Sequence, residues 1–280
     1  MILALAVVWF RPFAEKEKQQ ESRLVHHISY TLAVTNKSPA LIENVDFAVL
    51  GPNSHTRSQR CERIDADREF STSTDDLNNQ ILHFSFADLH PFAVKMVNIR
   101  ADVTMQASSS ALLANRGNYL ASQPQLHLDN ARLRKQAGKL LGKDDLQTVT
   151  NSYSWITGTI SKTGYSEKDR GALYALHKKS GDCTEFMHLF VALCRINGIP
   201  ARGVSGYIVS RNKHLSPDEF HDWAEVYIGE KWYLVDPFNK VFMEKEEFYV
   251  VMRIHGDRPD GGFFHRWFTD DERLHIAMAN

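Results

Sequence analysis

The chain has 280 residues, 43% hydrophobic and 24% charged, the proportions of an ordinary globular protein long enough for one or two cores. With 33 basic and 34 acidic residues the net charge is −1, which leaves no nucleic-acid footprint. Three cysteines exclude a disulfide framework, and the 13 histidines fall into no H-E-x-x-H spacing, so neither a metal nor a cofactor is expected.

Met1 to Phe10 is an apolar run followed by Arg11-Pro12 and a charged stretch from Glu15 to Arg23. Ten residues are too few for a bilayer span, which takes ~20. The segment 1–20 fits either the remnant of an export signal or membrane anchor, or a plain tether. The first reading leans toward the cell envelope or periplasm over the cytoplasm. Residues 21–110 then read as short strands: His26 to Thr35, Leu41 to Leu50, Ile81 to Phe86 and Phe92 to Thr104, punctuated by Asn36-Lys37-Ser38-Pro39, Gly51-Pro52-Asn53-Ser54 and a loop at 75–79. Strands at that spacing predict a β-sandwich, with a packing or recognition role. Residues 108–128 make a connector.

From Asn130 the pattern changes to helix. Leu133, Ala137, Leu140 and Leu141 share one face up to the stop at Gly142; Leu146, Val149, Tyr153 and Ile156 share a face of a second helix from Asp144. Gly171 to His177 leads into a third, and 182–197 is apolar nearly all round, which predicts burial on most sides. Asn197-Gly198-Ile199-Pro200 ends it. Strands follow at 203–209, 222–228 and 231–236, then a mixed tail.

The start of the apolar helix carries the chemistry. Asp182 is an N-cap residue type, and Cys183 follows it where the unpaired amides and macrodipole of a helix N-terminus favour thiolate. Cys194, eleven residues on, projects from nearly the same face and reads as core, as do Glu185 and His188, which we take as salt-bridge or packing residues. Downstream, Gly229-Glu230 fits a two-residue hairpin turn between strands 222–228 and 231–236. With Ile228 opposite Lys231, Trp223 falls opposite Asp236. Side chains alternate faces along a strand, so His221 and Asp236 become diagonal neighbours on one face, roughly 7–8 Å apart at the backbone. Asp222 points to the other face. A nucleophile Cys183, a base His221 and an orienter Asp236 therefore follow in chain order, with Trp223 on the same face as either a wall of the cleft or a buried packing residue. The Cys183 N–H is an expected oxyanion donor.

These motifs resemble the transglutaminase-like superfamily of papain-type folds, on Gly181-Asp182-Cys183-Thr184-Glu185, Cys194 through Arg202, His221-Asp222-Trp223-Ala224-Glu225-Val226 and Trp232 through Pro237. The resemblance covers roughly 118–280 and implies an α+β protein: an N-terminal β-sandwich, then a catalytic domain whose cysteine helix packs on an antiparallel sheet. It also implies a Cys-His-Asp site acting through a thioester on a peptide or protein substrate. Peptidase or amidase hydrolysis is preferred to amine transfer, because water needs no second-substrate site; a non-catalytic binding scaffold is the rival.

Overall fold

The computed structural model describes residues 24–105, 116–256 and 266–279, so the Met1–Phe10 run lies outside the described residues. Six strands come first: β1 (Leu24–Asn36), β2 (Ile42–Leu50), β3 (Gln59–Ala66), β4 (Phe70–Thr74), β5 (Gln80–Leu89) and β6 (Val94–Met105). In β1, β2, β5 and β6 the expected alternation is present. Ile28, Tyr30, Leu32 and Val34 of β1 meet Val97 and Ile99 of β6, and Phe47 of β2 and Phe84 of β5 face them from a second sheet. The strands β3 and β4 lie in a stretch without an apolar alternation in the sequence. Each is an edge strand, β3 beside β6 and β4 beside β5, and each is largely solvated on both faces, so polar residues replace the alternation.

Four helices follow, α1 (Ala131–Leu140), α2 (Asp145–Thr159), α3 (Gly171–Lys178) and α4 (Cys183–Ile196), with the short strands β7 (Ser161–Lys162) and β8 (Ser180–Gly181) between them. Asn130 and Asp144, where the sequence reading begins the first two helices, cap them through their side chains. The remaining strands are β9 (Ala201–Ile208), β10 (Asn212–His214), β11 (His221–Ile228), β12 (Lys231–Asp236), β13 (Val241–Phe242), β14 (Tyr249–Ile254), β15 (Trp267–Phe268) and β16 (Leu274–Ala279). A third sheet has the order β13-β12-β11-β9-β14. The helix α4 is the centre of the core packed on it: Phe186, Leu189, Phe190 and Leu193 meet Ala224 and Val226 of β11 and Val235 of β12. The protein is thus α+β, a β-rich N-terminal region with a helix-on-sheet unit.

The tail does not stay with the third sheet. The strand β16 pairs with β1 from Thr31 to Asn36, β10 pairs with β1 at His27–Ser29, and β15 pairs with β2. Residues of the 118–280 segment therefore complete the sheets of the 21–110 segment. The reason is a bare edge: β1 gives one side to β6, and β10 and β16 cover the hydrogen-bonding groups along the other. The side chains of Tyr207, Val250 and Met252 also enter the sandwich core. The outer edge of β14 is closed by two amide side chains, Gln59 bonding the N–H and C=O of Val251 and Asn79 those of Ile254. Among the described residues no helix is long and apolar enough to cross a membrane.

Candidate active site

The β11–β12 hairpin has the register expected from its two-residue turn, Ile228 opposite Lys231 and Ala224 opposite Val235. Gly229 and Glu230 both take positive φ, 53° and 68°, as a type I′ turn requires. The consequence is direct: His221 Nε2 lies 2.7 Å from Asp236 Oδ2. A carboxylate only accepts, so Nε2 carries the proton and Nδ1 is left as the basic nitrogen. Asp236 is fully buried, and its Oδ2 also accepts from Asn239 Nδ2 at 2.9 Å and from the Tyr249 hydroxyl at 3.0 Å. Its Oδ1 takes the Asn239 N–H at 3.0 Å. Burial alone would raise this carboxyl; the bond and charge of His221, with the bonds from Asn239 and Tyr249, outweigh it and hold the group below the usual range. Asn239, three residues after Asp236, forms a turn that the sequence could have shown. Tyr249 comes from β14, beyond any local signal.

Of the two roles open to Trp223, cleft wall and buried packing, the structure has the second. It is 0% exposed, its ring 6.2 Å from that of His221 at 24° and edge-on to Tyr249, so it is a floor beneath the histidine and not a wall of an open cleft. Room for it comes from Gly206, opposite His221 on β9, where an added Cβ would stand 2.9 Å from the Trp223 ring and 2.0 Å from the Val250 carbonyl oxygen.

Cys183 is the first residue of α4. Asp182 accepts the Thr184 N–H at 3.1 Å and the Ser166 N–H at 2.9 Å, while Glu185 Oε2 accepts the Asp182 N–H at 3.0 Å, a reciprocal cap worth on the order of 1 kcal/mol. Arg170 pairs with the buried Glu185 at 2.5 Å, and His188 with Asp169 at 3.0 Å, so both helix residues serve packing. The Cys183 N–H has no hydrogen-bond partner among the described residues, as an oxyanion donor requires.

The thiol itself differs from the sequence expectation. Burial, followed by the charges of Asp222 and Asp182, pushes the thiol up, and the bond from the Asp222 backbone N–H only partly offsets them. Desolvation, invisible to a reading of helix position, here exceeds the pull of the N-terminus. The thiol abuts the peptide joining His221 to Asp222. No hydrogen bond joins Cys183 to His221 in this resting arrangement, although one aromatic chain links them: Phe186, a turn after Cys183, packs edge-on to Phe238 at 5.4 Å, and Phe238 lies 5.8 Å from the His221 ring. On its other side Cys183 opens on a cleft of about 440 Å³ bordered by Tyr165, Asp169, Ser205, Asp222, His255 and Arg266.

Residues 134–237, which contain Cys183, His221 and Asp236, match the transglutaminase-like superfamily. The chain carries a transglutaminase-like domain. A structure of a candidate cysteine protease from Cytophaga hutchinsonii superposes with a TM-score of 0.63 over 92% of this chain and 90% of that one, at 19% identity, and so shares the fold from β-rich region to tail. The periplasmic domain of TgpA from Pseudomonas aeruginosa aligns over 76% of the chain and 90% of its own, with a TM-score of 0.41 and 15% identity. An uncharacterised protein of Mycobacterium leprae is 34% identical over 92 residues; the match covers 31% of this chain and only 32% of that relative's length. The match to the superfamily supports cysteine-dependent catalysis in general terms.

Proposed function

We propose that the transglutaminase-like domain hydrolyses an amide bond of a peptide or protein through a thioester on Cys183. The observation that carries the reading is the buried His221–Asp236 pair at 2.7 Å, which fixes the imidazole tautomer with Nδ1 as base next to the turn that presents the thiol. Because burial holds the resting thiol protonated, proton transfer to His221 accompanies attack. Sulfur then bonds to the carbonyl carbon, the oxyanion faces the Cys183 N–H, and the C–N bond breaks as imidazolium returns the proton to the leaving amine. Water, deprotonated by His221, cleaves the thioester to a free acid and restores the thiol. Water is preferred to an amine because it needs no dedicated second-substrate site, and a net charge of −1 marks no strongly acidic chain that would gather lysines or polyamines.

The test is mass spectrometry of the products from a peptide library, with and without a millimolar fluorescent amine, on wild type and Cys183→Ala. Free-acid products that vanish in Cys183→Ala are expected, with an unfolding transition close to wild type since only a thiol is removed. Amine-coupled product in excess over acid makes the domain a transferase; equal turnover in Cys183→Ala removes Cys183 as nucleophile.

A further inference from the structure

A second polar chain meets the cysteine turn from the cleft side, and the reaction scheme above does not use it. His255, at the end of β14, donates from Nε2 to Ser205 Oγ on β9 at 2.6 Å; the Ser205 hydroxyl in turn donates to Asp222 Oδ1 at 2.5 Å. The other carboxylate oxygen, Oδ2, accepts from the Thr184 hydroxyl at 2.6 Å, one residue past Cys183. Three strands and the first turn of α4 are thereby tied at one carboxylate. The direction of each bond is fixed by chemistry: the carboxylate only accepts, so the serine proton is committed to it and the histidine must donate to the serine.

Asp222 differs from the other charged groups around the thiol. Asp182 and Glu185 share Arg170, at 3.8 and 2.5 Å, and Asp169 is paired with His188. Asp236, on the hairpin, is paired with His221. No ion pair joins Asp222 to any described residue; its partners are two neutral hydroxyls. His255 stays neutral because burial and the neighbouring charge of Arg253 oppose its protonation, so the chain brings no countercharge. Arg253 and Arg266 border the same cleft, but no ion pair joins either to Asp222; a carboxylate held by hydroxyls alone, beside a thiol, resists a second negative charge there.

We infer that Asp222 is a positioning residue: through Thr184 it fixes the turn that presents Cys183, and its charge adds to burial in disfavouring a thiolate in the resting site. The inference rests on Cys183 as the reactive group of the proposed function, but it concerns the thiol alone and is read without substrate. The measurement is the pH profile of Cys183 alkylation by iodoacetamide, followed by peptide mass spectrometry with Cys61 as internal reference. Asp222→Asn should move the Cys183 profile down by about half a pH unit or more, roughly a threefold rise in rate on the acidic limb. Ser205→Ala, which strips a donor from the carboxylate and leaves it more negative, should move the profile up. Loosened packing would instead speed Cys61 and Cys194 together in both variants. An unmoved Cys183 profile in Asp222→Asn, or shifts of the same sign in the two variants, overturns the assignment. If wild-type Cys183 hydrolyses no peptide while the opposed shifts persist, the proposed function fails and the role of Asp222 stands.

Discussion

Replacing Asp236 with asparagine tests the site at its most constrained point. Four donors converge on this carboxylate: His221 Nε2, Asn239 Nδ2 and the Tyr249 hydroxyl on Oδ2, and the Asn239 N–H on Oδ1. An asparagine must put its NH₂ in one of those positions, so in either flip a buried donor faces a donor. The less damaging flip keeps the carbonyl oxygen toward the three donors and opposes the Asn239 N–H, at about 1–3 kcal/mol of stability for one unsatisfied pair. Catalysis should suffer more. Loss of the charge removes the support for imidazolium and frees the tautomer, and the equivalent change in a serine-protease triad lowers kcat by about 10⁴-fold. We expect a fall in kcat of roughly 10³–10⁴, or about 4–5.5 kcal/mol of barrier, with KM little changed. Steady-state hydrolysis of a peptide substrate and urea unfolding read the two quantities. Tyr249→Phe is the control: it removes one donor but leaves the charge, and should cost less than tenfold. A kcat for Asp236→Asn within tenfold of wild type would falsify the orienting role.

Gly206→Ala should destabilise by about 3 kcal/mol or more and abolish turnover, because its Cβ would meet the Val250 backbone oxygen and the Trp223 ring, neither of which can yield without moving His221; an unfolding midpoint equal to wild type disproves the close approach. Glu230→Gly relieves a non-glycine residue from φ 68° and should stabilise by roughly 0.5–1 kcal/mol in urea titrations with activity retained. Asp169 and Asp236 are both held below the ordinary carboxylate value of 3.8, so their contribution to stability is complete above that pH and is lost as pH falls through the lower folded values. Unfolding free energy measured from pH 5 to pH 2 should drop below about pH 4, and drop less in Asp236→Asn; parallel curves refute the linkage.

Much of the site was legible because its determinants are local. The two-residue turn at Gly229-Glu230 permits one register, and strand parity then puts His221 and Asp236 on one face and Asp222 on the other. The structure has that register, that contact, and Asp222 turned toward Thr184. The cap Asp182 and the breaks at Gly142 and Gly198 are likewise short-range. The strands β3 and β4 escaped because a solvated edge needs no apolar alternation.

The sequence by itself determined the helices, most of the long strands and the hairpin pairing that brings His221 to Asp236, since each depends on residues a few positions apart. Only the tertiary structure decided how the thiol is charged and what surrounds the imidazole. Burial reverses the pull of the helix N-terminus on Cys183, a glycine on a neighbouring strand lets Trp223 slide beneath His221, and Asp222 acquires its partners from β9 and α4. Desolvation and long-range hydrogen bonds arise from contacts between segments distant in the chain, and no local pattern records them.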